Sequence, residues 1–121
     1  MPERLSISSA NTILYCKKWQ ETVDFYQNRL NLPVTFVSDW FVEFQLGEAA
    51  YLSVANATRT TIQSSYGAGI TLTLKVDSAD KAWQLLKHKG IAVESIKDIW
   101  GARVFYFYDP EGYRLEVWSL K

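Results

Sequence analysis

In the run Tyr-Phe-Tyr-Asp-Pro-Glu-Gly-Tyr-Arg-Leu-Glu-Val-Trp, residues 106–118, the group best suited to chemistry is the carboxylate of Glu116. A carboxylate on a strand can ligate a metal, take a proton as a general base, or anchor a cationic or donor group of an organic ligand. At alternate positions of the same run stand Tyr106, Tyr108, Arg114 and Trp118: three rings that can stack and one guanidinium that can meet an acceptor. Other familiar chemical equipment is missing. The chain has one histidine, His88, set between Lys87 and Lys89 as solvated surface, and one cysteine, Cys16, whose apolar neighbours make it a small core residue. No glycine-rich phosphate loop, Gly-x-Ser-x-Gly elbow or Cys/His nucleophile pair occurs.

Composition narrows the partners. Thirteen basic and thirteen acidic side chains cancel, without a face-length basic run, so the field that drives nucleic-acid binding is missing. No apolar stretch is long enough to span a bilayer, and the first thirty residues lack a basic segment followed by an apolar block. The single cysteine rules out an intrachain disulfide and agrees with a reducing compartment. A cytoplasmic protein with a small-molecule partner, no nucleic acid and no membrane is the expectation. Aromatic residues make up 15% of the chain, with five Trp, more than a core of this size needs, so some rings are expected to line a pocket.

The elements that position these residues follow from periodicity. A β-favouring run over 11–16 predicts a strand, and apolar residues at 19, 23, 26 and 30 predict a helix over 19–30 that ends before Pro33. Strands follow at 34–37, 40–46 and 50–55. The second half repeats the order, with a strand at 69–76, a helix at 78–89 capped by Ser78 and closed by Gly90, and strands near 91–96, 102–108 and 113–119. The fold class is therefore α+β: two βαβββ modules, at about 8–56 and 69–121, within one domain over 1–121. The Ser-, Thr-, Ala- and Gly-rich segment 56–68 reads as a linker or lid. Phe41-Val42-Glu43-Phe44 shifted by 63 falls on Val104-Phe105-Tyr106-Phe107, and Leu52-Ser53-Val54 falls on Leu115-Glu116-Val117; the first strand and helix need a shift of about 60.

Register then assigns faces. Asp109-Pro110-Glu111-Gly112 predicts a type I turn closing through a glycine bulge, which sets Tyr106 opposite Glu116 and Tyr108 opposite Arg114. Phe105, Phe107, Leu115 and Val117 share an apolar face expected to bury Leu85, Leu86, Val23 and Tyr26 of the helices, and Val42, Phe44, Leu52 and Val54 do the same in module one. The opposite face carries Val104, Tyr106, Tyr108, Arg114, Glu116 and Trp118, with Phe41, Glu43, Gln45, Tyr51 and Ser53 in module one. First-strand positions add Asn11, Ile13 and Tyr15, and Thr71, Thr73 and Lys75. Charges on such a face can be mere cross-strand ion pairs worth ~0.2–1 kcal/mol each. Tyr15, Tyr51, Tyr106, Tyr108 and Trp118 beside them describe a ligand-binding concavity better.

The doubled βαβββ order, Val23-Asp24-Phe25-Tyr26 on the first helix, and Asp109-Pro110-Glu111-Gly112 followed by Leu115-Glu116 resemble the vicinal oxygen chelate superfamily. That superfamily includes glyoxalase I, extradiol dioxygenases, and fosfomycin and bleomycin resistance proteins. The resemblance implies a curved mixed sheet around a cleft, often completed across a homodimer, with up to four metal ligands on the first and last strands of each module. Carried over, those positions fall on Glu116, which keeps a carboxylate, and on Asn11, Ser53 and Thr71, which depart from the pattern. Neutral amide and hydroxyl oxygens are weak donors beside imidazole and carboxylate.

The sequence therefore leads to a metal-free protein with no cofactor, similar in kind to the bleomycin resistance proteins, that sequesters or carries an organic ligand in an aromatic cleft. Its expected ligand-binding residues are Glu116, Glu43, Arg114, Lys75, Tyr15, Tyr51, Tyr106, Tyr108, Trp118, Asn11, Ser53 and Thr71, with Trp40 and Trp100 at the rims. Within this set, Arg114 and Lys75 meet a ligand acceptor or hold the carboxylates. One alternative is a glyoxalase-like lyase or dioxygenase, dependent on a divalent metal or using Glu116 as general base with a tyrosine hydroxyl as acid. The other is a structural or regulatory dimer module.

Overall fold

A computed structural model describes residues 2–121 and divides the chain into two compact units, Met1–Gln63 and Ser64–Lys121. In the first unit β1 (Ala10–Cys16), β2 (Val34–Val37), β3 (Phe41–Gly47) and β4 (Ala50–Asn56) form a sheet of order β1-β4-β3-β2. In the second, β5 (Thr71–Lys75), β6 (Lys97–Ile99), β7 (Ala102–Tyr108) and β8 (Arg114–Leu120) form a sheet of order β5-β8-β7-β6. Each is mixed: the first strand runs parallel to the last, and the others pair antiparallel. The α+β, two-module expectation holds in this form.

Cross-strand partners confirm the internal repeat more sharply than sequence identity does. Glu43 faces Ser53 in the first sheet as Tyr106 faces Glu116 in the second, and Asn11 pairs with Tyr51 as Thr71 pairs with Arg114. These pairs are related by the same offsets that align the two halves of the chain.

In the first unit, α1 (Trp19–Asp24) continues as a π-helical turn over Phe25–Arg29, with the Leu30 amide donating to the Phe25 carbonyl at 2.9 Å. The single α-helix expected over 19–30 is thus replaced in its second half. The wider turn lets consecutive rings share the buried side: Phe25 and Tyr26 are both buried, edge to face at 5.4 Å. Tyr26 reaches Phe44 at 6.0 Å, and the Trp19 indole donates to the Val54 carbonyl at 2.8 Å, tying α1 to β4. Val42, Phe44, Leu52 and Val54 are buried as their parity requires, and Cys16 joins them.

In the second unit α2 (Ala79–His88) begins at Ser78, whose hydroxyl accepts from the Lys81 amide, and ends before Gly90, which takes φ +81°. Phe105, Phe107, Leu115 and Val117 form the buried face, and Leu86 packs in the core. Full burial of a side chain of this size contributes about 1.5–3 kcal/mol. Leu85 was expected beside Leu86 but is 55% exposed, because adjacent helical positions point about 100° apart and only one meets the sheet. The strand expected at 91–96 is also corrected. The Ile91 amide donates to the Leu86 carbonyl, closing the helix, and the Glu94 carbonyl accepts from the Trp83 indole at 2.9 Å. The Glu94 amide still reaches the Tyr106 carbonyl of β7 at 3.0 Å, but as an isolated bond, and the regular ladder with β7 runs only from Lys97 to Ile99. Arg103 links β7 to α2 and β6 through Asp80 and Asp98, and its hydrogen bonds lower both carboxyl pKa values.

Candidate functional site

The turn between β7 and β8 fixes the register of Glu116. The Gly112 amide donates to the Asp109 carbonyl at 3.0 Å, Asp109 and Tyr113 are joined by a backbone hydrogen bond, and Gly112 takes φ +104°. This is the expected type I turn with its glycine bulge. The Asp109 carboxylate adds what the sequence pattern left unstated: one oxygen accepts the amides of Glu111, Gly112 and Tyr113, each at 3.0 Å. The second part of the 56–68 segment leans on this turn. Ser64 donates to the Glu111 carboxylate, and a Cβ at Gly67 would stand 2.0 Å from the Gly112 carbonyl oxygen.

Tyr106 and Glu116 face one another across β7 and β8. Hydrogen bonding to Glu116, followed by burial and the carboxylate's charge, raises the Tyr106 phenol above its ordinary pKa. The two residues line a recess of about 280 Å³ with Trp118 and Val104, bordered toward the β6–β7 turn by Ile99, Trp100 and Ala102. Ile99 and Ala102 were not among the expected ligand-binding residues; Ala102 shares the parity of Val104 and Tyr106, whereas placing Ile99 depends on the true start of β6. Trp100 and Gly101 form a two-residue hairpin turn with φ of +48° and +79°. This is the mirror-image turn that suits a twisted hairpin, and it usually takes Asn or Gly rather than Trp at the first position. Trp100 is fully exposed beside this recess.

The cations of this face do not hold its carboxylates. Among the described residues neither Arg114 nor Lys75 forms an ion pair. Arg114 instead donates through Nε to the Thr71 hydroxyl at 2.9 Å and lies over the Tyr106 ring at 4.7 Å, while the Lys75 ammonium sits 5.2 Å from the Trp118 ring. Tyr108 lies apart from the Glu116 recess. It lines a second hollow with Thr71 and Arg114, so one expected cleft wall resolves into two recesses on one sheet face.

The first unit brings Asn11, Ser53 and Glu43 together. The Ser53 hydroxyl donates to Asn11 Oδ1 at 2.9 Å, and Asn11 Nδ2 donates to Glu43 at 3.3 Å. Glu43 also accepts from the Thr35 hydroxyl at 2.8 Å, a partner the sequence reading did not name. Ser53 is fully buried, which takes it out of direct reach of a ligand. Tyr51 and Tyr15 are half-buried on β4 and β1. Trp40 falls in a separate apolar hollow of about 330 Å³ with Phe36, Ser38 and Phe41.

These donors do not fit a divalent metal. Asn11 and Ser53 are bonded to one another, Thr71 accepts from Arg114, and Glu116 is the one carboxylate of the four positions. Among the described residues no group of three or more His, Cys, Asp or Glu side chains gathers to hold a metal, and His88 is exposed on α2.

Paired βαβββ sheets, with the last strand of the second presenting a carboxylate among rings, define a recognisable class. The family model described as Glyoxalase/Bleomycin resistance protein/Dioxygenase superfamily matches residues 8–117, and the chain belongs to that superfamily. Uncharacterized protein YraH of Bacillus subtilis (strain 168) is 24% identical, over 88% of this chain and 94% of its own length. Among solved structures, TnmS3, an antibiotic binding protein from Streptomyces, superposes with a TM-score of 0.80 at 18% identity, covering 98% of this chain and 100% of that one. A lactoylglutathione lyase from Agrobacterium tumefaciens gives a TM-score of 0.75 at 18% identity, covering 98% and 94%. At these identities the two solved structures establish the shared fold. No helix among the described residues is long and apolar enough to cross a membrane.

Proposed function

We propose that this chain is a metal-free binding protein that sequesters or carries a small organic ligand in the recess around Glu116. The observation that carries the reading is the recess itself: about 280 Å³, walled by Tyr106, Trp118, Val104 and Ile99, with one carboxylate inside and an exposed Trp100 at its edge. A few convergent polar groups among apolar walls are the usual make-up of a small-molecule site. A flat apolar ligand part stacks on Trp118 or Trp100, and a cation or hydrogen-bond donor meets Glu116. The fold shared with an antibiotic binding protein supports this reading. Two chains pair as a homodimer in the cytoplasm under the same proposal, which light scattering on the purified protein tests for the pairing.

The enzymatic alternative finds less support. A general acid works best with a pKa near the working pH, whereas the Tyr106 phenol is raised and its hydrogen-bond partner is the same Glu116 required as base. A structural dimer module predicts filled faces, and a recess of this volume runs against it.

Tryptophan fluorescence titration with cationic aromatic small molecules tests the proposal. Saturable binding that Glu116→Gln weakens at least about tenfold is the expected result, an ionic hydrogen bond being worth ~1.5–3 kcal/mol. Absence of a saturable response across a broad panel refutes it. Near-stoichiometric Ni, Zn, Mn or Fe in protein purified without chelators overturns the metal-free part.

A further inference from the structure

The second hollow on the β8 face has a different chemistry from the Glu116 recess. It measures about 430 Å³ and is lined by the glycines 67, 69 and 112 together with Ile70, Thr71, Tyr108 and Arg114. Its one charged lining group is the exposed Arg114 cation, oriented by an Nε bond to Thr71 at 2.9 Å and by Cζ lying 4.7 Å from the Tyr106 ring centroid. Both restraints leave the two Nη groups for another partner. Among the described residues no carboxylate pairs with them. The acidic groups of the adjoining turn are already engaged, Asp109 by three backbone amides and Glu111 by Ser64, and both are buried.

The three glycines keep the hollow open. A Cβ on Gly67 would stand 2.0 Å from the Gly112 carbonyl oxygen and one on Gly112 2.7 Å from the Tyr66 carbonyl oxygen, while Gly69 takes φ +76° with empty space where a side chain would project. Glycine backbone thus lines part of the hollow, with Ile70 and the hydroxyl-bearing Tyr108 and Thr71 sharing its wall with Arg114. An oriented guanidinium with two free Nη groups matches the two oxygens of a carboxylate or phosphoryl group.

We propose that this hollow is an oxyanion subsite, taking the carboxylate or phosphoryl end of a small organic acid through Arg114. It lies on a separate recess from Glu116 and stands or falls separately. Strand geometry puts Arg114 and Glu116 about 7 Å apart along β8, so a ligand of amino-acid size with both charges can span the two recesses.

The test is a titration of ¹⁵N-labelled full-length protein with benzoate and, separately, phenyl phosphate. Saturable amide shifts concentrated at Gly67, Gly69, Thr71 and Gly112 are expected with at least one anion, and the stronger of the two identifies the group. Arg114→Gln is expected to weaken that binding roughly tenfold or more. Arg114→Lys, which keeps the charge but not the fork, is expected to lose carboxylate binding more than phosphate binding. Glu116→Gln should leave the anion response in place or strengthen it. No saturable shift with either anion overturns the subsite, as does binding unchanged in Arg114→Gln while that variant keeps the parent spectrum elsewhere. Failure of cationic ligands at Glu116 with anion binding intact refutes only the proposed function, and the converse refutes only the subsite.

Discussion

Replacing Asp109 by Ala removes the acceptor that three successive backbone amides share. The residue is 5% exposed, and its Oδ1 lies 3.0 Å from the amides of Glu111, Gly112 and Tyr113. An unsatisfied buried donor costs ~1–3 kcal/mol, although the Gly112 amide keeps the Asp109 carbonyl and water can reach part of an opened turn. A net loss of about 3 kcal/mol follows for Asp109→Ala. Asp109→Asn keeps one oxygen acceptor without the charge and should lose about 1 kcal/mol. For a chain of 121 residues, 1 kcal/mol corresponds to about 4 °C in Tm, so the two variants should melt about 12 °C and 4 °C below the parent. Scanning calorimetry and urea unfolding measure both. Asp109→Ala within about 0.5 kcal/mol of the parent, or Asp109→Asn as costly as Ala, refutes the assignment of the turn's stability to this carboxylate.

Three further outcomes are expected. Glu116→Gln should bring the Tyr106 pKa down toward the ordinary tyrosine range, read by NMR pH titration, because the carboxylate that raises it is gone. In the parent the same shift has a sign for stability: the unfolded phenol ionises first, so its stabilisation is intact below the ordinary tyrosine pKa and is lost as pH rises through the higher folded value, a decline Glu116→Gln should reduce. Gly67→Ala should cost about 3 kcal/mol or more in urea unfolding, since the added Cβ meets backbone at 2.0 Å, whereas Gly69→Ala should cost only the ~1–2 kcal/mol of its positive φ. Leu86→Ala should lose about 2–3 kcal/mol and Leu85→Ala less than about 0.5 kcal/mol; equal losses would contradict the helix facing described above.

Much of the fold was legible because its rules are local or periodic. Alternation along strands placed Phe105, Phe107, Leu115 and Val117 in the core, and turn chemistry at Asp109-Pro110-Glu111-Gly112 set the register that pairs Tyr106 with Glu116. The errors came where backbone groups had competing partners. Residues 91–96 look strand-forming by composition, but the Ile91 amide goes to the helix end and the Glu94 carbonyl to Trp83, which leaves the Glu94 amide's bond to Tyr106 of β7 isolated from the ladder. Tyr26 followed the expected helical spacing into the core, yet the π-helical turn that seats Phe25 beside it has no pattern in apolar spacing alone.

For the candidate site, sequence by itself determined which side chains of β7 and β8 share the mixed face, since strand parity and the turn at 109–112 set their register. It also placed Asn11, Ser53 and Thr71, rather than carboxylates or imidazoles, at the other three positions that the family resemblance implies. Only tertiary structure decided what those side chains do to one another. Arg114 and Lys75 lie against rings rather than carboxylates, Ser53 is buried beneath its bond to Asn11, and the single expected wall divides into a recess at Glu116 and another at Arg114. The reason is physical: face assignment depends on neighbours along the chain and one turn, whereas the partner of a long cationic side chain is settled by small differences among nearby groups in space.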